Sequence, residues 1–189
     1  MDFSEILLRT VELLRTNAPI LKHYQERFKF ILVDEFQDTN SVQYAWLQLL
    51  VGKSNNLFVV GDDDQSIYGW RGAKIENILH FDQHFDDVTT VRLEQNYRST
   101  KAILEAANHV IEKNNERLDK RLWTDNESEQ PIIAYRATDG YDEARFVVET
   151  IKEKLKEDFK KSDIAILYRS NAQSRLFEEL LLRAQVPYL

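Results

Sequence analysis

The chain has 189 residues, room for one domain or two small ones, and its 43% hydrophobic and 30% charged content is that of an ordinary soluble protein with a core to fill. No apolar run nears the ~20 residues of a membrane span, MDFSEILLRT lacks the basic start and apolar stretch of a secretory signal, and the absence of cysteine excludes disulfides and thiolate metal sites, which fits a cytoplasmic address. The net charge is −7, with 10 basic and 15 acidic side chains in residues 1–100 and 15 and 17 in the remainder; neither half has the basic balance that holds duplex DNA by charge alone, so any nucleic-acid binding must be local, through a groove with stacking aromatics.

Apolar side chains recur at helical spacing over 3–16 (Phe3, Ile6, Leu7, Val11, Leu14), which predicts a helix. Pro19 is expected to break it, with a second helical stretch beyond. FKFILVDE (28–35) is a short apolar run with β-branched residues and reads as a buried strand. SVQYAWLQLL (41–50) returns to helical spacing and stops at Gly52. LFVVGD (57–62) is a second buried strand, AKIENILHF (73–81) is helical, and VTTVRLE (88–94) is strand-like. TKAILEAANHVIEKN (100–114) predicts an amphipathic helix with Ser99 as its N-cap. IIAYRA (132–137), DEARFVVETIKEKLKE (142–157), DIAILY (163–168) and SRLFEELLLRA (174–184) alternate strand, helix, strand, helix. Such alternation points to parallel α/β sheets. The polar stretch 115–130 around Trp123 reads as a connection between two α/β units. Val186-Pro187-Tyr188-Leu189 is an apolar end that reads as the approach to a strand, so truncation is expected.

ILVDEFQDT (31–39) ends an apolar strand in adjacent carboxylates, Asp34 and Glu35. In parallel α/β sheets, ligands sit outside the carboxyl ends of the strands. A carboxylate there holds Mg²⁺ beside a nucleotide phosphate, directly or through water, and a second takes the proton from an attacking water. Read alone, such a pair more often ends a strand or caps the next helix. LFVVGDDDQSIYGWRGA (57–73) sets Gln65 near the same sheet edge, where a neutral amide can contact a terminal phosphate; an ordinary Gly-Asp turn is the alternative. Beyond it, Tyr68, Trp70 and Arg71 lie in a loop with Gly69 and Gly72. Large aromatics in a Gly-rich loop are poor core candidates and suit base stacking, worth roughly 1–3 kcal/mol per base. Packing against the next helix is the alternative, more for Tyr68 than for Trp70. LEQNYRST (93–100) brings Tyr97 and Arg98 just ahead of a helix. The ring can stack on a purine and the guanidinium can neutralise charge on a transferring phosphoryl group, although a surface Tyr-Arg pair is the default. The clustered Asp62, Asp63 and Asp64 take no separate role and read as a solvated turn.

Together and in order, DEFQDT, GDDDQSIYGWRGA and LEQNYRS resemble the UvrD/PcrA/Rep family of superfamily-one DNA helicases, as its Walker B block and its third and fourth motifs. DFSEILL, RLWTDN (121–126), DEARFVV (142–148) and AILYRSNAQSR (165–175) extend the resemblance to essentially the whole chain. It implies an α/β fold of P-loop NTPase type, with parallel RecA-like sheets flanked by helices. Residues 1–100 would be the C-terminal part of a first RecA-like ATPase domain and 101–189 the start of a second. The resemblance implies ATP and Mg²⁺ as cofactors, single-stranded DNA and single-strand/duplex junctions as partners, and no membrane. Asp34 would bind Mg²⁺ and Glu35 would activate water. Gln65 would sense the γ-phosphate and link it to the DNA site. Tyr97 would stack on adenine and Arg98 would act as an arginine finger. Asp34, Glu35, Gln65, Tyr97 and Arg98 would thus line the nucleotide, with Glu35, Gln65 and Arg98 catalytic. Tyr68 and Trp70 would contact single-stranded bases, with Arg71 coupling DNA to ATP.

The family's phosphate cradle, a Gly-rich loop ending in Gly-Lys-Thr or Gly-Lys-Ser, has no counterpart in this sequence. Gly52-Lys53-Ser54 is a false match. Leu47 stands where the pattern wants glycine, and the tripeptide follows a helix and precedes a strand, the reverse of the required order. Gly52 reads instead as a helix C-cap. The resemblance is therefore to an internal fragment without the Walker A loop or the later motifs, expected to hydrolyse little or no ATP alone and to expose sheet edges. A fragment of a 3′-to-5′ DNA helicase is the leading reading. A fragment of a recombination helicase–nuclease, and a non-catalytic remnant that binds single strands or a protein partner, are the alternatives.

Overall fold

The computed structural model describes residues 2–53, 56–127 and 130–189. The chain divides into two compact units, Met1–Gln130 and Pro131–Leu189.

In the first unit, helix α1 (Phe3–Thr16) keeps its predicted bounds. Asp2 caps it by accepting the Glu5 N–H at 2.8 Å, and Val11 and Leu14 turn inward. The break falls at Asn17 and not at Pro19. Asn17 closes α1, and its side chain accepts the Ile20 N–H to open α2 (Ala18–Arg27). Pro19 sits in the first turn of α2, where amides have no intrahelical acceptor and a missing N–H is harmless.

Strands β1 (Ile31–Val33) and β2 (Leu57–Val59) pair in parallel, Ile31 opposite Leu57, Leu32 opposite Phe58 and Val33 opposite Val59. A parallel pair requires a crossover, and helix α3 (Ser41–Val51) supplies it. Asn40 and Gln43 form a reciprocal capping box at its start. Gly52, at φ +54°, ends it as predicted, its N–H bonded to the Gln48 carbonyl; Ser54 lies outside the described residues. One face of the sheet is covered. Ile31, Val33, Leu57 and Val59 pack on Phe36, Tyr44, Leu47 and Val51. Successive strand residues point to opposite faces, and on the other face Leu32 is 74% exposed. The expectation of buried strands thus holds for one face only.

The helix expected over 73–81 is two short helices, α4 (Glu76–Leu79) and α5 (Phe81–His84). Residues 88–94 form no strand. Helix α6 (Lys101–Ile111) has Thr100 and not Ser99 at its N-cap position, because the first helical bond is donated by the Leu104 N–H to the Thr100 carbonyl at 3.1 Å. The stretch 115–130 belongs to this first unit, and its contacts are described below.

In the second unit, α7 (Gly140–Lys156) buries Ala144, Val148 and Ile151 against Phe177, Leu180 and Leu181 of α8 (Ser174–Arg183). Residues 132–137 and 163–168, expected as strands, form none. A strand forms where a neighbour takes up its amides and carbonyls, and among the described residues neither segment has a ladder partner. Ile164 and Ile166 still pack on the helical core. The chain is therefore mixed helix and strand with a small parallel sheet, consistent with an α/β fold. Among the described residues no helix is long and apolar enough to cross a membrane.

Asp142, in the first turn of α7, accepts the Thr138 N–H at 3.0 Å and an Arg145 guanidinium N–H at 2.6 Å. The Thr138 amide, then Arg145, hold its carboxyl down from 3.8 to about 2. A depressed acid contributes stability above its unfolded value and loses it as pH falls through the folded one. Asp142→Asn is therefore expected to lower the melting temperature at neutral pH, with the deficit shrinking between pH 3.8 and about 2. Thermal unfolding of both proteins across that range checks this. A deficit independent of pH would assign the effect to shape and not to charge.

Candidate functional site

The carboxyl ends of β1 and β2 lie side by side. Val60 N–H donates to the Val33 carbonyl at 2.8 Å, and Phe36 N–H donates to the Val60 carbonyl at 3.0 Å. This extension of the ladder sets Asp34 and Glu35 beside Gly61 and Asp62. Asp34 is exposed, and one of its carboxylate oxygens accepts the Glu35 N–H at 2.9 Å. Its other oxygen has no partner among the described residues. Glu35 stands in the left-handed region, at φ 50° and ψ 44°. For a residue other than glycine that costs roughly 1–2 kcal/mol. The turn buries Phe36 completely and leaves the Glu35 side chain exposed.

Gln37 joins the two strand ends. It is 1% exposed, its Nε2 donates to Glu35 Oε2 at 2.8 Å, and its Oε1 accepts the Asp62 N–H at 3.0 Å. A Cβ on Gly61 would stand 2.8 Å from Gln37 Oε1 and 2.8 Å from Ile78 Cδ1, so glycine is what admits this amide. Asp62 continues the run, its Oδ2 accepting from Gln65 Nε2 at 2.6 Å. Glu35, Gln37, Asp62 and Gln65 are thus linked by successive hydrogen bonds. Sequence reasoning missed Gln37, whose partner Asp62 lies 25 residues away; its place between Glu35 and Asp38 is the one cue. Burial, then the nearby Glu35 charge, push the Asp38 carboxyl up.

Asp62, Asp63 and Asp64 are not a solvated turn. Lys120 contacts all of them, at 2.7 Å from Asp62, 3.1 Å from Asp64, and directly on the buried Asp63. Arg117 holds Asp64 by two parallel bonds of 2.9 and 2.7 Å, and the Leu118 N–H donates to Asp63 at 2.7 Å. Burial opposes the charge on Asp64, but hydrogen bonds from Arg117 and Lys120 outweigh it and lower its pKa. Burial likewise opposes the charge on Lys120 and is outweighed by Asp62 and Asp63, which raise its pKa. The carboxylates are close enough together to hold a cation, and the Lys120 ammonium takes that place.

The loop that follows is anchored at its base and open at its tip. Ala73 pairs with Asn40, and the buried Asn77 donates to the Thr39 carbonyl and hydroxyl, each at 3.1 Å. The base therefore rests on the chain just past the Glu35 turn. At the tip, Trp70 is 73% exposed. The Tyr68 and Trp70 rings lie 6.4 Å apart, and the Arg71 guanidinium is 4.6 Å from the Trp70 centroid and 5.2 Å from that of Tyr68, within cation–π range. Neither ring belongs to the core of the unit.

Tyr97 and Arg98 form a separate exposed turn. The Tyr97 hydroxyl donates to Gln95 at 2.7 Å, and the Asn96 side chain accepts the Arg98 and Ser99 N–H groups at 2.9 and 2.8 Å. Among the described residues the Arg98 guanidinium has no hydrogen bond or ion pair, and neither residue bonds directly to Glu35 or Gln65. The structure thus brings Asp34, Glu35 and Gln65 to one sheet edge and Tyr68, Trp70 and Arg71 to one loop tip, and sets Tyr97 and Arg98 on a third element. Magnesium prefers hard oxygen ligands, and Asp34, with an oxygen unengaged among the described residues at the strand end, fits that requirement.

Residues 1–86 match the family described as UvrD/REP helicase N-terminal domain, and residues 91–189 match the UvrD-like helicase C-terminal domain. Over 188 residues the chain is 57% identical to DNA helicase II of Escherichia coli (strain K12), 53% identical to DNA helicase II of Haemophilus influenzae and 49% identical to ATP-dependent DNA helicase PcrA of Staphylococcus aureus (strain Mu50). Each of these matches covers 100% of this chain and 26% of the relative, so the chain spans about a quarter of the length of the curated relatives it matches. With two family domains matched in order along the chain, the protein belongs to the UvrD-like helicase family.

Proposed function

We propose that this chain forms part of the motor of an ATP-dependent DNA helicase that moves 3′-to-5′ along single-stranded DNA and opens duplex DNA in repair or replication. The observation that carries the reading is the hydrogen-bonded run from Glu35 through Gln37 and Asp62 to Gln65. It ties a strand-end carboxylate to an amide that lies just before the aromatic loop.

In this reading the terminal phosphate of ATP faces Asp34, Glu35 and Gln65. Asp34 would hold Mg²⁺, which when bound neutralises phosphate charge. Glu35 takes the proton from the attacking water. Gln37 engages Glu35 Oε2, and among the described residues the other carboxylate oxygen has no hydrogen-bond partner and can accept that proton. Gln65 donates its amide to the γ-phosphate, and its movement off Asp62 reports phosphate loss to the loop that carries Tyr68, Trp70 and Arg71. Tyr97 stacks on adenine. Arg98, whose guanidinium has no hydrogen bond or ion pair among the described residues, stabilises the charge that develops on the transferring group. Tyr68 and Trp70 take single-stranded bases against their faces, with Arg71 beside both rings.

Residues 1–100 are proposed as the C-terminal part of a first RecA-like domain and 101–189 as the start of a second; residues 101–130 pack within the first compact unit. The uncovered sheet face at Leu32 and Phe58 is where further helices of a RecA-like domain would pack. Single-stranded DNA and single-strand/duplex junctions are the proposed partners, and the cytoplasm the proposed location.

Because the chain carries no phosphate-cradling loop, the isolated 189-residue protein is expected to hydrolyse ATP at least roughly 10²–10³-fold more slowly than a whole helicase. E. coli DNA helicase II carrying this chain in place of its matching segment is expected to regain DNA-stimulated turnover. Steady-state ATPase with and without single-stranded oligonucleotide measures both. Turnover by the isolated chain near that of the whole helicase would contradict the missing-cradle argument, and an inert chimaera would contradict the motor reading.

A further inference from the structure

Residues 117–126 take no part in the reading above, yet they hold two of its turns. At one end Arg117, Leu118 and Lys120 grip Asp62–Asp64, the acidic turn that leads into Gln65. At the other end the segment runs beside the Tyr97–Arg98 turn. Trp123 N–H donates to the Glu94 carbonyl at 3.0 Å, and Asn96 N–H donates to the Trp123 carbonyl at 2.7 Å. Asn126 Nδ2 donates to the Tyr97 carbonyl at 3.1 Å, and the Asn126 carbonyl accepts the Lys101 N–H, also at 3.1 Å. Midway, the buried Asn108 of α6 clasps Leu122 from both sides, donating to its carbonyl at 2.8 Å and accepting its N–H at 3.3 Å. Charge-assisted and bidentate bonds out of water hold geometry better than surface contacts do. A segment pinned at both ends and at its middle cannot absorb a displacement by sliding.

We infer that residues 117–126 form a strap that fixes the Gln65 turn and the Tyr97–Arg98 turn in one spatial relation, with Arg117, Lys120 and Asn126 as positioning residues. Its value to catalysis rests on the proposed nucleotide roles of Gln65 and Arg98, which can serve one phosphate only while their spacing is kept. The strap itself is a matter of geometry and is tested without nucleotide.

The test is amide hydrogen exchange on the whole 189-residue chain. Lys120→Met removes the ammonium and keeps the stem. It is expected to speed exchange at Asp64, Gln65 and Ser66, and also at Asn96, Arg98 and Trp123 at the far end, by roughly tenfold at each. Lys120→Arg, which keeps the charge, is expected to restore protection at both ends. Asn126→Ala strands no buried charge, so it remains informative even if Lys120→Met fails to fold. It is expected to act in reverse, loosening Asp64–Ser66 from the opposite end. If each substitution loosens only its own end, the strap transmits nothing and the inference is wrong. The chimaera keeps the two ideas apart. Coupled exchange with unchanged DNA-stimulated ATPase in Lys120→Met would uphold the strap and overturn the nucleotide roles of Gln65 and Arg98.

Discussion

Glu35→Gln, placed in the E. coli DNA helicase II chimaera, is expected to cut DNA-stimulated ATP turnover by roughly 10²–10⁴-fold, the range for loss of a positioned general base. ATP binding should stay within a few-fold of the parent. The geometry explains the separation. Glutamine has the same shape, and its carbonyl oxygen can still accept from Gln37 Nε2, the 2.8 Å bond that orients the side chain. The left-handed backbone at this position strains either residue alike. Asp34 and Gln65, the proposed metal and phosphate contacts, are untouched. What disappears is an oxygen basic enough to take a proton from water. Turnover within tenfold of the parent would return Glu35 to the status of a strand end. Equilibrium binding of a fluorescent nucleotide, measured beside the ATPase, separates loss of chemistry from loss of substrate.

Trp70→Ala is expected to weaken single-strand binding by roughly 5- to 150-fold, the equivalent of one lost stacking contact of about 1–3 kcal/mol, and to slow unwinding with it. The ring is 73% exposed and outside the apolar core, while the Arg71 guanidinium lies 4.6 Å from its centroid. Removing it should therefore change thermal stability by no more than about 0.5 kcal/mol. Fluorescence anisotropy with a labelled oligothymidine, run beside a melting curve, distinguishes the outcomes. Unchanged DNA affinity with a lowered melting temperature would reassign the ring to packing.

Local pattern was enough for the long helices. Periodicity placed α1, α3, α7 and α8 within two residues of their observed ends, because an amphipathic stripe is written into consecutive residues. Segments 88–94, 132–137 and 163–168 misled, because β-propensity records a fit to a neighbour that the chain must also supply. The placement of Asp34, Glu35 and Gln65 at one sheet edge was legible from apolar runs ending in polar residues. Gln37 was not, since its meaning depends on the Asp62 amide. The acidic turn was misread for the same reason. Asp63 looks solvated until Lys120, 57 positions later, is set against it. Hydrogen bonds across long sequence separations leave no periodic trace, and they are what assemble this site.

The acidic turn also bears on how an acidic protein meets a polyanion. Three carboxylates sit at the root of the aromatic loop, and Lys120 and Arg117 return two positive charges to them. In a chain of net charge −7, this leaves one uncompensated negative charge at the root instead of three. These pairs are largely out of water, so dissolved salt screens them far less than it screens surface pairs. The cancellation therefore persists at ionic strengths where long-range repulsion between protein and phosphate backbone has faded. Under the proposed DNA role, a phosphodiester strand approaching Trp70 would meet a nearly neutral root and the cation of Arg71 in place of three bare carboxylates.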